Sequence, residues 1–429
     1  MAQTYFHSVT LDKDLCMGCI NCIKRCPTQA IRVRDGKADI MAERCIDCAE
    51  CIRICPHHAK KAIYDPLEIL DNFKYKIALP PPSLYGQFNN MDETDIVLNG
   101  LLKMGFDDVF EVARAAEYVS DATRRILQTE SIDRPVISSA CPAVAKLIRV
   151  RFPQLIDHVL PLNAPIEYAA HMAKDEAVEK TGLKREEIGC IFITPCPAKV
   201  TAIHAPIGIE KSEVDAAIAV KDVYPKLISA MKHTETMDYL ASAGRIGLGW
   251  AESGGEAAGL VSTDNYLAAD GIENVIRVLE DLEDEKYGQL DFVELNACSG
   301  GCVGGVLQVE NPYIAKAKLK RLRRYIPVSK NHLTGSVPAK MLWNKDLTYN
   351  PAFELGGTQR ERFEKYSQME KITAELPGLD CGSCGAPTCS ALAEDIVRGL
   401  AKRGDCTVLM RRRMEGVLKA LGKETENDD

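Results

Sequence analysis

The 429-residue chain carries 53 Lys+Arg against 61 Asp+Glu, a formal net charge of −8, which argues against nucleic acid as the main partner. At 46% hydrophobic and 27% charged residues it has a soluble globular composition, long enough for two or three domains with their own cores. No apolar run approaches the roughly 20 residues that span a bilayer, and the opening MAQTYFHSVTLDKDLC has neither a basic nor an apolar export segment. These features predict a cytoplasmic protein with no membrane partner. Its 17 cysteines are the anomaly, since in a reducing compartment such a count signals metal or redox chemistry. Eight lie before residue 56, four after residue 380 and five between.

The first eight form an internal repeat. Cys16, Cys19, Cys22 and Cys26-Pro27 recur 29 positions on as Cys45, Cys48, Cys51 and Cys55-Pro56. The spacing C-x2-C-x2-C-x3-C-P is that of bacterial two-cluster ferredoxins, in which the fourth cysteine of each run ligates the other run's cluster. One 4Fe-4S cubane is therefore expected on Cys16, Cys19, Cys22 and Cys55, and a second on Cys45, Cys48, Cys51 and Cys26. Zinc sites do not use this spacing twice with Cys-Pro endings. His57 and His58 read as solvated loop residues, and residues 1–64 as a ferredoxin-like α+β domain.

From about Tyr64 to Lys365, short apolar runs alternate with helical-period stretches: YKIAL, DIVLNGLLKMG, DDVFEV, then a helix through Arg125. This pattern predicts an α/β domain, residues 65–365, with largely parallel sheets. Three strand-like runs end in cysteine loops, at Cys141-Pro142, at Pro195-Cys196-Pro197-Ala-Lys199, and at Cys298-Ser-Gly-Gly-Cys302. Ligands in open α/β sheets gather beyond the carboxyl ends of strands, so these four thiolates could converge on one buried site. The glycines around Cys302 would let the backbone approach a bulky inorganic group. Lys199 would add a donor and a positive charge suited to an anionic ligand. Cys190, inside its strand, reads as structural, and an α/β enzyme with only structural cysteines fits the same composition.

After a polar stretch, Gln359 to Glu375, come Cys381, Cys384, Cys389 and, seventeen residues later, Cys406. Between them Ser390 to Gly404 reads as an amphipathic helix with Leu392, Ile396, Val397 and Leu400 on its apolar side. The pattern C-x2-C-G-x-P-x-C resembles small 4Fe-4S modules of corrinoid protein subunits and membrane redox complexes, with a four-cysteine zinc site as the rival. Residues 366–429 are thus expected to be a separate helical cluster module, ending in a charged helix from Arg411 that fades into an acidic tail.

Taken together, the ferredoxin repeats, Ser-Ala-Cys141-Pro, Pro-Cys196-x-x-Lys199 and Glu-x-x-x-Cys298-x-x-x-Cys302-x-Gly-Gly resemble the signatures of FeFe-hydrogenases over roughly residues 1 to 320. The resemblance implies a catalytic core of two α/β lobes and an H-cluster. In such a cluster Cys141, Cys196, Cys298 and Cys302 hold a cubane, Cys302 bridges to a two-iron unit carrying CO, cyanide and an azadithiolate, and Lys199 hydrogen-bonds a cyanide. It implies three further 4Fe-4S clusters, two N-terminal and one C-terminal. It also implies H2 and protons as substrates, ferredoxin or another redox partner, and dedicated maturation proteins. The departures are chemical. The family's proton-relaying cysteine before the first ligand is Ala140 here, its methionines near the two-iron unit are Thr194 and Asn296, and its Gly-Gly-Gly-Gln-Pro ending reads Gly-Gly-Val-Leu-Gln308. Loss of a positioned proton donor costs about 10² to 10⁴ in rate, so slow turnover is expected; Glu252 in the Gly-rich turn reads either as the replacement relay or as a solvated loop acid. These departures and the terminal module are similar to the divergent sensory branch of the family, which would signal through a separate protein. A metabolic ferredoxin-linked hydrogenase subunit, and a hydrogenase-like iron-sulfur assembly or electron-transfer protein without a two-iron unit, remain the alternatives.

Overall fold

The computed structural model describes residues 6–89, 91–129, 131–232, 237–261 and 265–421. Its contacts divide the chain into two units. One gathers Thr10–Cys45, Glu50–Lys61 and the segment from Asn350 onward; the other gathers the segment ending at Val9, Ile46–Ala49 and Ala62–Tyr349.

In the first, the cysteine-repeat unit, β1 (Val9–Leu11) pairs with β4 (Lys60–Ala62). Between them β2 (Ile31–Arg34) and β3 (Lys37–Ile40) form an antiparallel hairpin. Its two-residue turn, Asp35-Gly36, has positive φ at both positions (50° and 71°), the conformation whose twist matches the flanking strands. Two one-turn helices, Asn21–Lys24 and Glu50–Arg53, carry the third cysteine of each run, so the sequence repeat is also a structural one.

The same unit contains the C-terminal cysteines. The polar stretch is the helix Gln359–Glu375, started by a reciprocal cap in which Thr358 and Glu361 bond each other's backbone N–H. Ile372 and Leu376 pack with Leu392, Ala393 and Cys406. The helix expected over Ser390–Gly404 is shorter, Cys389–Val397, capped at its start by Thr388. Gly399 at φ +76° turns the chain out of the helix, which leaves Leu400 exposed rather than on an apolar face. A last helix spans Thr407–Ala420, and the acidic tail beyond Leu421 lies outside the described residues.

Residues from both 1–64 and 366–429 therefore build this unit. Buried ion pairs join its two parts: Arg44 to Glu394, Arg32 to Asp395 at 2.7 Å and Arg34 to Asp395 at 2.6 Å. Charges this buried persist only when paired.

The α/β unit holds two parallel sheets. β5 (Tyr75–Leu79), β6 (Asp108–Val109), β8 (Ile188–Thr194) and β9 (Ala216–Ala219) form one, in the order β6-β5-β8-β9; β7 (Val136–Ile137), β10 (Tyr266–Asp270) and β11 (Phe292–Asn296) form the other, in the order β10-β11-β7. β8 is buried along its whole length, as a strand covered on both faces must be. Helices such as Val112–Leu127 and Pro165–Thr181 complete the layers. Among the described residues no helix is long and apolar enough to cross a membrane.

Candidate metal centre

Three strands from the two sheets end at the predicted ligands. Cys141 follows β7 and caps the helix Pro142–Arg151, Cys196 follows β8 and caps the helix Pro197–His204, and Cys298 follows β11. Both helices open with proline, whose missing N–H costs nothing at a first helical position. Their remaining free N–H groups favour anionic sulfur nearby. Burial pushes the Cys196 thiol up to about 11, with the Cys302 and Cys141 thiolates adding repulsion that Lys199 opposes. A metal that claims the proton's place relieves this crowding.

Lys199 stands on the first turn after Cys196, buried, with Nζ donating to Cys302 Sγ at 3.7 Å. Burial pulls its ammonium down, but the charges of Cys302, Cys196, Cys141 and Cys298 outweigh that and hold it above the usual lysine range. The glycines of the Cys302 loop serve backbone packing against the protein itself. At Gly301, φ +87°, a Cβ would stand 2.4 Å from Ser253 N, and at Gly305 one would stand 2.2 Å from Pro195 O. Ser253 N in turn donates to Gly300 O at 3.1 Å, and Val303 N to Ala251 O at 3.1 Å, so the Ala251–Ser253 turn braces the last two ligands.

Next to Cys141, Cys302 and Lys199 lies a cavity of ≈ 60 Å³, walled by Val112, Ile166, Phe192 and Trp250 among others. Ala140 lines it where the family has cysteine, and so do two acids, Glu256 and Glu294. Ser138 Oγ donates to Glu256 Oε2 at 2.7 Å and accepts from Ala140 N at 3.2 Å, which fixes the acid directly behind the missing thiol. Glu294 accepts from Gly254 N, Ala257 N and Asn296 Nδ2 at 2.7–2.9 Å. Burial, and for Glu256 also the charge of Glu294, pushes both carboxyls up.

The residue predicted as the relay lies elsewhere. Glu252 is not in the cavity wall; its Oε1 accepts from Arg323 Nη2 at 2.9 Å. Gly254, at φ +83°, starts a new helix, Gly255–Gly259, which turns Glu256 rather than Glu252 toward the cavity. Thr194 also serves the backbone, its Oγ1 donating to Cys196 O at 2.8 Å, while Asn296 lines the cavity. Glu256, Glu294 and Ser138 were missed by sequence reasoning. Glu294 had a readable signal, as an acid inside the buried apolar strand FVELN, where unpaired charge is rare. Cys190 is buried within β8 with its thiol donating to Ala170 O at 3.6 Å, a structural residue.

The other cysteines also assemble. Burial pushes Cys22 up to about 11, and the charges of Cys19, Cys16 and Cys55 act on it, so the first run shares its neighbourhood with the last cysteine of the second. Burial likewise pushes Cys51 up to about 12 with Cys26 adding to the effect, the reciprocal exchange. Cys48 packs against the apolar cluster of Ile46 and Val144, together with Cys141 and Cys196. Cys381, Cys384, Cys389 and Cys406 line one small cavity with Ala386 and Leu392. His57 and His58 are exposed.

Soft thiolates in fours are the donor set of iron-sulfur clusters. At the central site they adjoin a cavity lined by Cys302 with a cation at its edge, so the residues fit an H-cluster.

Family profiles match three parts of the chain. The profile of the iron-only hydrogenase large subunit, C-terminal domain, matches residues 74–238 and 232–306, a 4Fe-4S dicluster domain matches 8–56, and an Fe-S cluster family matches 376–408. The chain is 29% identical over 212 residues to the periplasmic [Fe] hydrogenase large subunit of Nitratidesulfovibrio vulgaris, covering 45% of this chain and 50% of that protein. It is 23% identical over 305 residues to iron hydrogenase 1 of Clostridium pasteurianum, covering 58% and 53%. It thus spans about half the length of these curated relatives. A solved FeFe-hydrogenase, from work on oxygen inactivation of its H cluster, shares the fold at a TM-score of 0.50 and 15% identity, over 65% of this chain and 95% of that one. With the hydrogenase profile covering more than half of its residues, and the cysteines of all three signatures gathered at the strand ends, the chain belongs to the iron-only hydrogenase family.

Proposed function

We propose that this protein is a slow FeFe-hydrogenase that interconverts H2 with two protons and two electrons and serves to sense H2 or redox state. The carrying observation is the central site, where four cysteines from three strand ends meet Lys199 beside a largely apolar cavity. When bound there, the H-cluster supplies the heterolytic cleavage of H2. Cys141, Cys196, Cys298 and Cys302 hold it. Lys199 Nζ offers a buried cation and donor to the cluster's anionic ligands. Val112, Ile166, Phe192 and Trp250 exclude water from the cavity.

Glu256 holds an acidic proton behind Ala140, one hydroxyl removed through Ser138. Its carboxyl stays neutral near pH 7 because burial beside Glu294 disfavours a second charge, and Ser138 keeps it aimed. A carboxyl braced in this way moves a proton more slowly than a chain that begins with a thiol at the cavity, which supports low turnover. Electrons leave through the N-terminal cysteine sites toward ferredoxin or another redox partner, and a separate protein carries any signal. The setting is cytoplasmic, and maturation proteins install the two-iron unit.

The test is an infrared spectrum of anaerobically matured protein with and without H2. Bands of metal-bound CO and cyanide that shift under H2 are expected. Full iron loading without such bands would transfer the protein to the assembly or electron-transfer class, and turnover at the level of metabolic enzymes would remove the sensing role.

A further inference from the structure

The 29-residue repeat allows an internal comparison. The fifth residue after Cys26 is Ile31, which opens β2 and is 2% exposed. Its counterpart, the fifth after Cys55, is Lys60, which opens β4 and is 3% exposed. An isoleucine fills the first position, so packing there does not call for a cation.

Lys60 Nζ is shielded from solvent and has no hydrogen-bond partner among the described residues. Other buried cations of this unit are compensated: Arg44 has Glu394, and Arg32 has Asp395. An ammonium withdrawn from water without compensation is costly, so a group that answers its charge belongs beside it. The groups on which its charge acts are the sulfurs of Cys22, Cys55 and Cys51. The first two are ligands of one N-terminal site, and Cys55 also receives the backbone N–H of Lys60. A cubane with four thiolates is a dianion that becomes a trianion on reduction. A neighbouring cation therefore stabilises its reduced form more than its oxidised form.

We propose that Lys60 sets the reduction potential of the cluster on Cys16, Cys19, Cys22 and Cys55, raising it above that of the repeat-related cluster, whose matching position is Ile31. Electrons then collect on the cluster beside Lys60, which becomes the station that a redox partner reads. Lys60 is a potential-setting residue, not a catalytic one. The inference rests on reading the N-terminal cysteines as two cubane sites and does not depend on hydrogen chemistry.

The test is a redox titration of the full-length, cluster-loaded protein followed by electron paramagnetic resonance, with iron counted in every sample. In Lys60→Met one N-terminal wave is expected to move negative by about 59 mV or more, a tenfold change in the reduced-to-oxidised ratio at fixed potential, while the other moves less. Lys60→Gln should behave as Lys60→Met does, and Lys60→Arg should keep the wild-type position. Unmoved waves in Lys60→Met and Lys60→Gln at full iron content, or an equal shift in Lys60→Arg, would overturn the proposal. Wild-type protein without two N-terminal cubanes would instead remove its premise, which the iron count and spectrum report separately.

Discussion

Replacing Glu256 by glutamine separates proton delivery from architecture. The side chains have nearly the same volume, and the carbonyl of the introduced amide can still accept from Ser138 Oγ, so the 2.7 Å contact and the Ala140 N–H behind it are retained. What disappears is the exchangeable proton. A positioned acid or base contributes about 10² to 10⁴ in rate, equivalent to roughly 3–5 kcal/mol of barrier. Stability should hold near neutral pH, because burial beside Glu294 already keeps the Glu256 carboxyl uncharged there. The assay is H2 evolution by matured protein, normalised to the infrared bands of the two-iron unit. The pH profile gives a second signature. Glu256 is raised and acts as an acid, so the wild-type rate should fall as pH climbs through that raised value, and the Glu256→Gln rate should not. Glu252→Gln is the control, since it breaks only a part-buried ion pair with Arg323 and should leave the rate within about twofold. A Glu256→Gln enzyme that keeps a third or more of the wild-type rate, against the at least hundredfold loss expected of a proton donor, would refute the assignment.

Glu167, beside Ser212 Oγ at 2.7 Å and Glu213 N at 2.9 Å, is pushed by burial from 4.5 to about 7. Its stabilising share is present below about pH 4.5 and lost as pH rises through about 7, on the order of 3 kcal/mol. Denaturant midpoints should therefore fall between pH 5 and 8 in wild type and fall less in Glu167→Gln; parallel curves would contradict this. Gly301→Ala forces a side chain into φ +87° and against the Glu252–Ser253 backbone, 2.4 Å from Ser253 N, in the turn that holds Cys302. The central cluster should be lost while the other clusters remain, and an unchanged iron count would disprove it. Arg44 is 2% exposed, pairs with Glu394, donates to Ala352 O at 3.2 Å and lies 4.3 Å over the Phe353 ring. Arg44→Met should destabilise the cysteine-repeat unit by about 3 kcal/mol, toward the low end for a broken buried pair because Arg398 still holds Glu394 at 2.7 Å. Chemical denaturation monitored by cluster absorbance measures it, and a loss below about 1 kcal/mol would mean the pair behaves as a surface one.

The ligands were legible in the sequence because cluster binding constrains spacing along the chain. Three cysteines at i, i+3 and i+6 wrap one cubane whatever surrounds them, and a strand that runs into Cys-Pro places its thiol at a sheet edge and a helix start at once. The parallel α/β class was legible for a similar reason, since it follows from the alternation of apolar runs with helical periods. Even the early end of the helix after Cys389 had a local marker in Gly399. The tertiary structure decided which acid meets the cavity, because a glycine at φ +83° between Glu252 and Glu256 redirects the chain and the wall it then joins comes from β11 and the loop after β7. It also decided that the C-terminal cysteines share a unit with the first repeats, through the pairing of Arg32, Arg34 and Arg44 with Asp395 and Glu394, some 350 residues away. Local patterns record what neighbouring residues must do together. Burial and charge pairing arise between residues far apart in the chain, and only the folded protein brings them together.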